Sequence, residues 1–149
     1  MNKGLIAPCG MNCGICASYL AQVHGVREQG IRMAYCAGCR VRGKMCAYLR
    51  KWCNLLKEQK IAYCHECPKF PCHRLETLDK RYRVRYRMSM IENLRVIGEK
   101  GMTRFLQQQR RRWRCPECGG TISCHNGLCF ACGLEELKGR KNKYRWEAV

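Results

Sequence analysis

The chain has 149 residues, fifteen cysteines and a formal net charge of +18. This length suits one domain or two small ones, and the apolar core is thin once the cysteines are set aside, so cross-links must supply part of the stability. The odd cysteine count, the lack of a signal-peptide-like N-terminus and the absence of any apolar run of about eighteen residues argue against disulfides and a membrane span. We expect reduced, metal-bound thiols and a cytoplasmic location.

The first cysteine run predicts metal ligation. Three C-x2-C steps with single cysteines between them give the spacing that tetrahedral thiolate sites need, and we expect two zinc ions in this region. Which sulfurs share which ion stays open. The predicted ligands are Cys9, Cys13, Cys16, Cys36, Cys39, Cys46, Cys53, Cys64, Cys67 and Cys72.

Short helices are predicted between these cysteines. The spacing of apolar residues over 18–34 favours a short helix and a turn, and that over 44–59 favours a helix. On one unbroken helix, Cys46 and Cys53 would lie about 10 Å apart and could not share an ion. The prolines before Cys72 favour extended backbone and then a helix over 74–79.

The motifs Ala7-Pro8-Cys9-Gly10-Met11-Asn12-Cys13-Gly14-Ile15-Cys16, Cys36-Ala37-Gly38-Cys39 and Cys64-x2-Cys67-Pro68-x-Phe70-Pro71-Cys72 resemble a prokaryotic Cys-rich family, domain of unknown function 3795. The resemblance covers about residues 5 to 80. It implies a predicted metal-binding domain and no established activity.

Residues 74–114 carry thirteen Lys and Arg residues and only four acidic ones. Arginine alternates with Tyr82, Val84 and Tyr86 over 81–87, which suits an extended segment, although Tyr82 and Tyr86 would also share a helical face. Ser89-x-x-Glu92 is a capping box that opens a helix, and a second helix follows Gly101. The candidate nucleic-acid contacts are Arg81, Tyr82, Arg83, Arg85, Tyr86, Arg87, Arg110, Arg111 and Arg112, with Trp113 as a further stacking candidate.

Two C-x2-C-G knuckles follow, and they are the most specific motif in the chain. Cys115, Cys118, Cys129 and Cys132 are predicted to bind one zinc ion, with each glycine turning the backbone at positive φ. Asn126-Gly127 predicts a type I′ turn that pairs 122–125 with 128–131 as a β-hairpin. The resulting zinc ribbon would place Cys124 across from Cys129 and leave His125 in solvent.

The sequence therefore predicts a small metal-stabilised α+β protein. Its expected units are a Cys-rich metal-binding module (1–79), a basic helical connector (80–112), a zinc ribbon (113–134) and a flexible basic tail (135–149). About three closed zinc sites would support a basic surface that binds single-stranded nucleic acid or a ribonucleoprotein.

The sequence is also compatible with three alternatives to nucleic-acid binding. In the first alternative, the arginines are only a solvent-exposed face and the aromatic residues are only part of the hydrophobic core. Cys9-x3-Cys13-x2-Cys16 has the spacing of an iron–sulfur motif, so a redox or sensor protein is a second alternative. A zinc-scaffolded adaptor is the third. No catalytic triad, phosphate-binding Gly-rich loop or carboxylate pair indicates an enzyme, and oligomeric state is not predicted.

Overall fold

Helices make up most of the architecture. The computed structural model of the chain describes residues 1–42 and 51–148. The α-helices in these ranges are α1 (Ala17–Val23), α2 (Asn54–Lys57), α3 (His73–Tyr86), α4 (Met90–Lys100), α5 (Met102–Arg112) and α6 (Leu134–Gly139). Short 3₁₀ turns lie at Lys3–Leu5, Cys13–Ile15, Val26–Gln29 and Cys64–Glu66. No described helix combines the length and apolar character needed to cross a membrane.

The α+β prediction is wrong. The described residues are 47% helix and 4% strand, and they form isolated β-bridges without a sheet. The predicted β-hairpin is reduced to a bridge between Ile122 and Cys129, so Cys124 does not pair with Cys129. The turn is wider than a two-residue one because the Gly127 N–H donates to the Ser123 carbonyl at 2.9 Å. The residues on either side of this turn belong to the two knuckles, so too few residues remain to form a ladder of β-sheet hydrogen bonds.

Helices α3, α4 and α5 form the central packing unit. Ser89 Oγ accepts from the Glu92 N–H at 3.0 Å, which confirms Ser89 as the N-cap of this helix, whereas the Glu92 carboxylate of the predicted capping box pairs with Arg83. Gly101, with φ of 81°, separates α4 from α5 as predicted. Leu75 of α3 and Leu94 of α4 are fully buried in the same hydrophobic cluster, because each is on the apolar face of its helix.

The alternating Arg/Tyr segment is helical and not extended. It forms the last turns of α3, which runs on well past the predicted end at Asp79. Its Tyr82 and Tyr86 rings share a helical face, with centroids 4.9 Å apart. The segment prefers a helix because these two rings, at i and i+4, pack together on the protein and leave the arginines exposed.

The N-terminal helix and turn predicted over 18–34 are confirmed as α1 and the 3₁₀ turn at Val26–Gln29. Helix α2 lies within the helix predicted over 44–59, whose residues 44–50, with Cys46, lie outside the described ranges.

The C-terminal segment packs directly on this N-terminal part. The Cys124 N–H donates to the Ile15 carbonyl at 3.0 Å, and the Ala17 N–H donates to His125 Nδ1 at 3.2 Å. His125 is therefore buried, and the expectation that it is solvated is wrong. Leu137, in the tail that showed no core pattern, is fully buried. The division of the chain into four units stays a prediction.

Candidate metal centre

Four cysteine thiols converge in the C-terminal segment. The sulfur atoms of Cys115, Cys118, Cys129 and Cys132 all lie within 4.8 Å of one another. The Cys115–Cys132 sulfurs are 3.6 Å apart and the Cys118–Cys129 sulfurs 3.5 Å apart. These separations are close to the roughly 3.8 Å between sulfurs on one tetrahedral zinc ion. The four ligands predicted from the two knuckles are thus brought together, and they could hold one metal ion.

Both knuckles are closed by the same kind of backbone hydrogen bond. The Gly119 N–H donates to the Cys115 carbonyl at 2.9 Å, and the Gly133 N–H donates to the Cys129 carbonyl at 2.8 Å. In addition, the Gly120 N–H points at Cys118 Sγ at 3.4 Å. Such N–H groups offset the negative charge of a thiolate, so the backbone is arranged for ionised sulfur.

The two glycines are required for different reasons. Gly119 has φ of 75°, as predicted for a knuckle glycine. Gly133 has φ of −104°, so the prediction of positive φ is wrong there. At Gly133 a Cβ atom would lie 2.7 Å from the Cys129 carbonyl oxygen, and this close approach excludes a side chain.

The thiols of this cluster cannot all ionise easily without a cation. Donation by backbone N–H groups, that of Cys118 first, lowers the pKa of Cys115 to about 7. Contact with the Cys118 thiol raises the pKa of Cys132 to about 12, and burial raises the pKa of Cys129. Thiols that share a site resist a second ionisation, and a bound divalent cation removes that cost. The donor set therefore fits a thiophilic metal.

A second pair of C-x2-C steps lies side by side in the N-terminal part. The Cys39 N–H donates to Cys13 Sγ at 3.4 Å, and the Gly38 N–H donates to Cys36 Sγ at 3.4 Å. Burial raises the pKa of Cys16, and the nearby thiols of Cys36 and Cys39 raise it further. The structure thus brings together predicted ligands from two distant steps, the first at residues 13–16 and the second at 36–39.

The remaining predicted ligands lie in three places. Cys53, Cys64, Cys67 and Cys72 line one cavity next to α2 and α3. Cys9 is buried in the hydrophobic cluster with Leu75 and Leu94, and Cys46 lies outside the described residues. The described cysteines form no disulfide.

The N-terminal cysteines, from Cys9 to Cys72, fall within a match to a known protein family. Residues 5–77 match the family model described as "Protein of unknown function (DUF3795)". This segment belongs to the DUF3795 family. No curated protein and no solved structure matches the chain. The C-terminal cluster lies beyond the residues that the DUF3795 model matches.

The candidate nucleic-acid residues separate into two groups. The arginines at 81, 83, 85, 87 and 110–112 are exposed, whereas Tyr82 and Tyr86 are half-buried. The Tyr86 ring lies 4.5 Å from the His125 ring, centroid to centroid, and burial raises the pKa of Tyr82. Both tyrosines therefore serve as packing in this structure. Trp113 is buried as well.

The structure adds two residues to the basic surface that the sequence did not single out. Arg145 and Trp146 line a surface pocket of about 340 Å³ together with Arg85 and Arg87. The Arg87 guanidinium lies 3.9 Å from the centre of the Trp146 ring. The only available signal was the basic and aromatic composition of the tail, which does not indicate where the tail docks.

Proposed function

We propose that the chain is a nucleic-acid-binding protein whose C-terminal segment is held by zinc at Cys115, Cys118, Cys129 and Cys132. Zinc is the choice because four thiolates at tetrahedral spacing match its preferred structural site. A site closed by four protein ligands leaves no position for a substrate water, so the metal would have a structural role. It would fix residues 113–137 against the N-terminal part.

The observation that carries the binding proposal is the convergence of exposed arginines at one surface. The Arg112 guanidinium donates to the Arg87 carbonyl at 2.5 Å, which brings the end of α5 to the end of α3. Arg85, Arg87 and Arg145 then surround the 340 Å³ pocket. Among the described residues, neither Arg85 nor Arg145 has an acidic partner.

Not every predicted arginine contributes to this surface. Arg83 pairs with Asp79 at 2.5 Å and with Glu92 at 3.2 Å, so its charge is largely neutralised within the protein. Trp146 lies at the edge of the arginine pocket, but its ring already contacts the Arg87 guanidinium, so the binding is assigned to the arginines and not to base stacking. About four phosphate contacts and little sequence preference follow from such a surface, and single-strand binding should show a slope of about −3 in log affinity against log salt.

A binding titration with single-stranded oligonucleotides at two salt concentrations tests the proposal. Replacing Arg85, Arg87 and Arg145 by serine should weaken binding to all sequences alike and flatten the salt dependence by about two units of slope. The matched control replaces Lys57, Arg95 and Lys100, three exposed cations elsewhere, and removes the same charge.

The control should bind nearly as wild type does. Equal losses in the two triple variants would mean that only net charge matters, and the site would be rejected. No binding by the wild type beyond that of an unrelated protein of similar charge would favour the adaptor alternative.

A further inference from the structure

A second group of four cysteines surrounds a cavity outside the C-terminal cluster. The cavity has a volume of about 390 Å³ and lies between α2, the 3₁₀ turn at Cys64–Glu66 and the start of α3. Its wall contains the side chains of Cys53, Cys64, Cys67 and Cys72.

Each of these four cysteines lies at the start of a helix or beside a 3₁₀ turn, which fixes the position of its Cα atom. Cys53 directly precedes α2 and Cys72 directly precedes α3. Cys64 and Cys67 bracket the 3₁₀ turn, which is closed by donation from the Cys67 N–H to the Cys64 carbonyl at 3.2 Å. The Lys69 N–H also donates to Cys67 Sγ at 3.4 Å, the same N–H···S contact that the C-terminal knuckle makes. The backbone here therefore directs an N–H group at a cysteine sulfur, as it does in the C-terminal knuckle.

The electrostatic surroundings favour an anionic thiolate group. Cys72 stands at the N-terminus of α3, a 14-residue helix whose dipole stabilises negative charge. Lys69, His73 and Arg74 also line the cavity. The Arg74 guanidinium lies 4.7 Å from the centre of the Trp52 ring, which positions it at the cavity wall. The N-terminus of α3, Lys69 and Arg74 therefore offset part of the charge of the four cysteines.

The size of the cavity argues against a single ion. The C-terminal set is the group of described residues whose ligand atoms all fall within 4.8 Å of one another, and the cavity cysteines do not converge in this way. They surround a space more than ten times the roughly 30 Å³ share of one water molecule. Leu56, Ile61, Phe70 and Leu75 contribute apolar surface to the wall.

We propose that Cys53, Cys64, Cys67 and Cys72 bind an iron–sulfur cluster in this cavity. Four cysteine thiolates are the usual ligand set of such clusters, and the inorganic iron and sulfide occupy the space between them. This places the cluster away from Cys9-x3-Cys13-x2-Cys16, the motif whose spacing suggested iron–sulfur chemistry. It also assigns different metals to the two halves of the chain, iron to this cavity and zinc to the C-terminal segment.

The test is metal and sulfide analysis of the full chain purified without oxygen, before and after incubation with sulfide and a mixture of ferric and ferrous iron, which supplies both oxidation states that such a cluster contains. Wild type should hold iron and acid-labile sulfide in matched amounts, with the visible absorption of a cluster, together with zinc. Cys72→Ala and Cys53→Ala should lose most of the iron and sulfide while keeping the zinc. Cys72 is exposed, so its replacement removes no core packing. The matched control is Cys132→Ala, which should lose zinc and keep the iron and sulfide.

Three results would overturn the proposal. Wild type that contains zinc in place of iron after anaerobic reconstitution, or iron without sulfide, excludes a cluster. Unchanged iron and sulfide in both Cys53→Ala and Cys72→Ala places a cluster elsewhere. Retained zinc and an unchanged circular dichroism spectrum in these variants separate loss of the cluster from unfolding. Should one variant unfold, the other one and the reconstituted wild type still decide the outcome.

Discussion

Asp79 holds the junction between α3 and α4, and we expect Asp79→Asn to be among the more destabilising single changes in this part of the chain. Its side chain is 5% exposed. Oδ1 accepts from Ser89 Oγ at 2.7 Å and from the Ile91 N–H at 3.0 Å, and Oδ2 accepts from Arg83 Nε at 2.5 Å. The carboxylate thus joins the middle of α3 to the N-cap and first turn of α4.

The expected loss of stability depends on which hydrogen-bond partners of Asp79 are buried. Asparagine keeps the shape but removes the charge and turns an NH₂ group toward a donor, which costs about 2–3 kcal/mol when buried hydrogen bonds to a charged group are lost. Arg83 is 47% exposed, so its ion pair is screened by solvent and should be worth less than about 1 kcal/mol. Asp79→Asn should therefore cost far more than Arg83→Gln, although both break the same ion pair.

Urea unfolding at pH 7.5 with fixed free zinc, followed by circular dichroism, measures the difference. Asp79→Asn should lower the midpoint by about 1 M or more, while Arg83→Gln and the exposed control Glu76→Gln should shift it little. Equal shifts for Asp79→Asn and Arg83→Gln would refute the reasoning, because the ion pair would then carry the effect.

The pH dependence of Asp79 gives an independent check. Burial alone would raise the pKa of Asp79, but donation by Ile91, Arg83 and Ser89 holds it below its ordinary value of 3.8. The wild-type advantage over Asp79→Asn should thus be complete above that pH and decline as the pH falls further.

Two further changes test the C-terminal packing. Gly127→Ala should cost about 2–4 kcal/mol and alter tryptophan fluorescence, because Gly127 has φ of 75° and its Cβ would overlap the Trp146 ring. Gly30→Ala, at φ of 79° in open space, is the control for backbone strain alone and should cost only about 1 kcal/mol; equal costs would contradict the packing argument. Burial lowers the pKa of His125 from 6.5 to about 4, so the unfolded chain binds a proton in this range that the folded chain does not, and stability should fall as the pH falls through it. The thermal unfolding midpoint of His125→Gln should depend less on pH between these values than the midpoint of wild type or of the exposed control His73→Gln. An equal pH dependence of the midpoint in all three proteins would show that His125 does not cause the effect.

Local signals in the sequence were sufficient for part of the fold. The capping box at Ser89 predicted the start of α4 because both partners lie within one helical turn. The two C-x2-C-G knuckles predicted their cluster because each knuckle is a local turn and ten residues between them allow the chain to return.

Long-range contacts decided the rest. The period-two pattern over 81–87 was misleading because arginine at every second position is compatible with an exposed helical face, and the packing of Tyr82 and Tyr86 against His125 cannot be read from spacing. His125 was expected in solvent because its partner, the Ala17 N–H, is 108 positions away. The common cavity of Cys53 with the cysteines at 64–72 likewise depends on how α2 packs beside α3.

The hydrogen bonds from Cys124 to Ile15 and from Ala17 to His125 flank Cys16 on both sides. Residues 124 and 125 lie between Cys118 and Cys129, so a metal bound by the C-terminal cluster restrains them. The same restraint then reaches the backbone on either side of the Cys16 thiol. We expect metal affinity at the C-terminal cluster to be thermodynamically coupled to metal affinity at the N-terminal steps 13–16 and 36–39, with equal coupling free energy in both directions, and not to the cluster in the cavity beside α2 and α3.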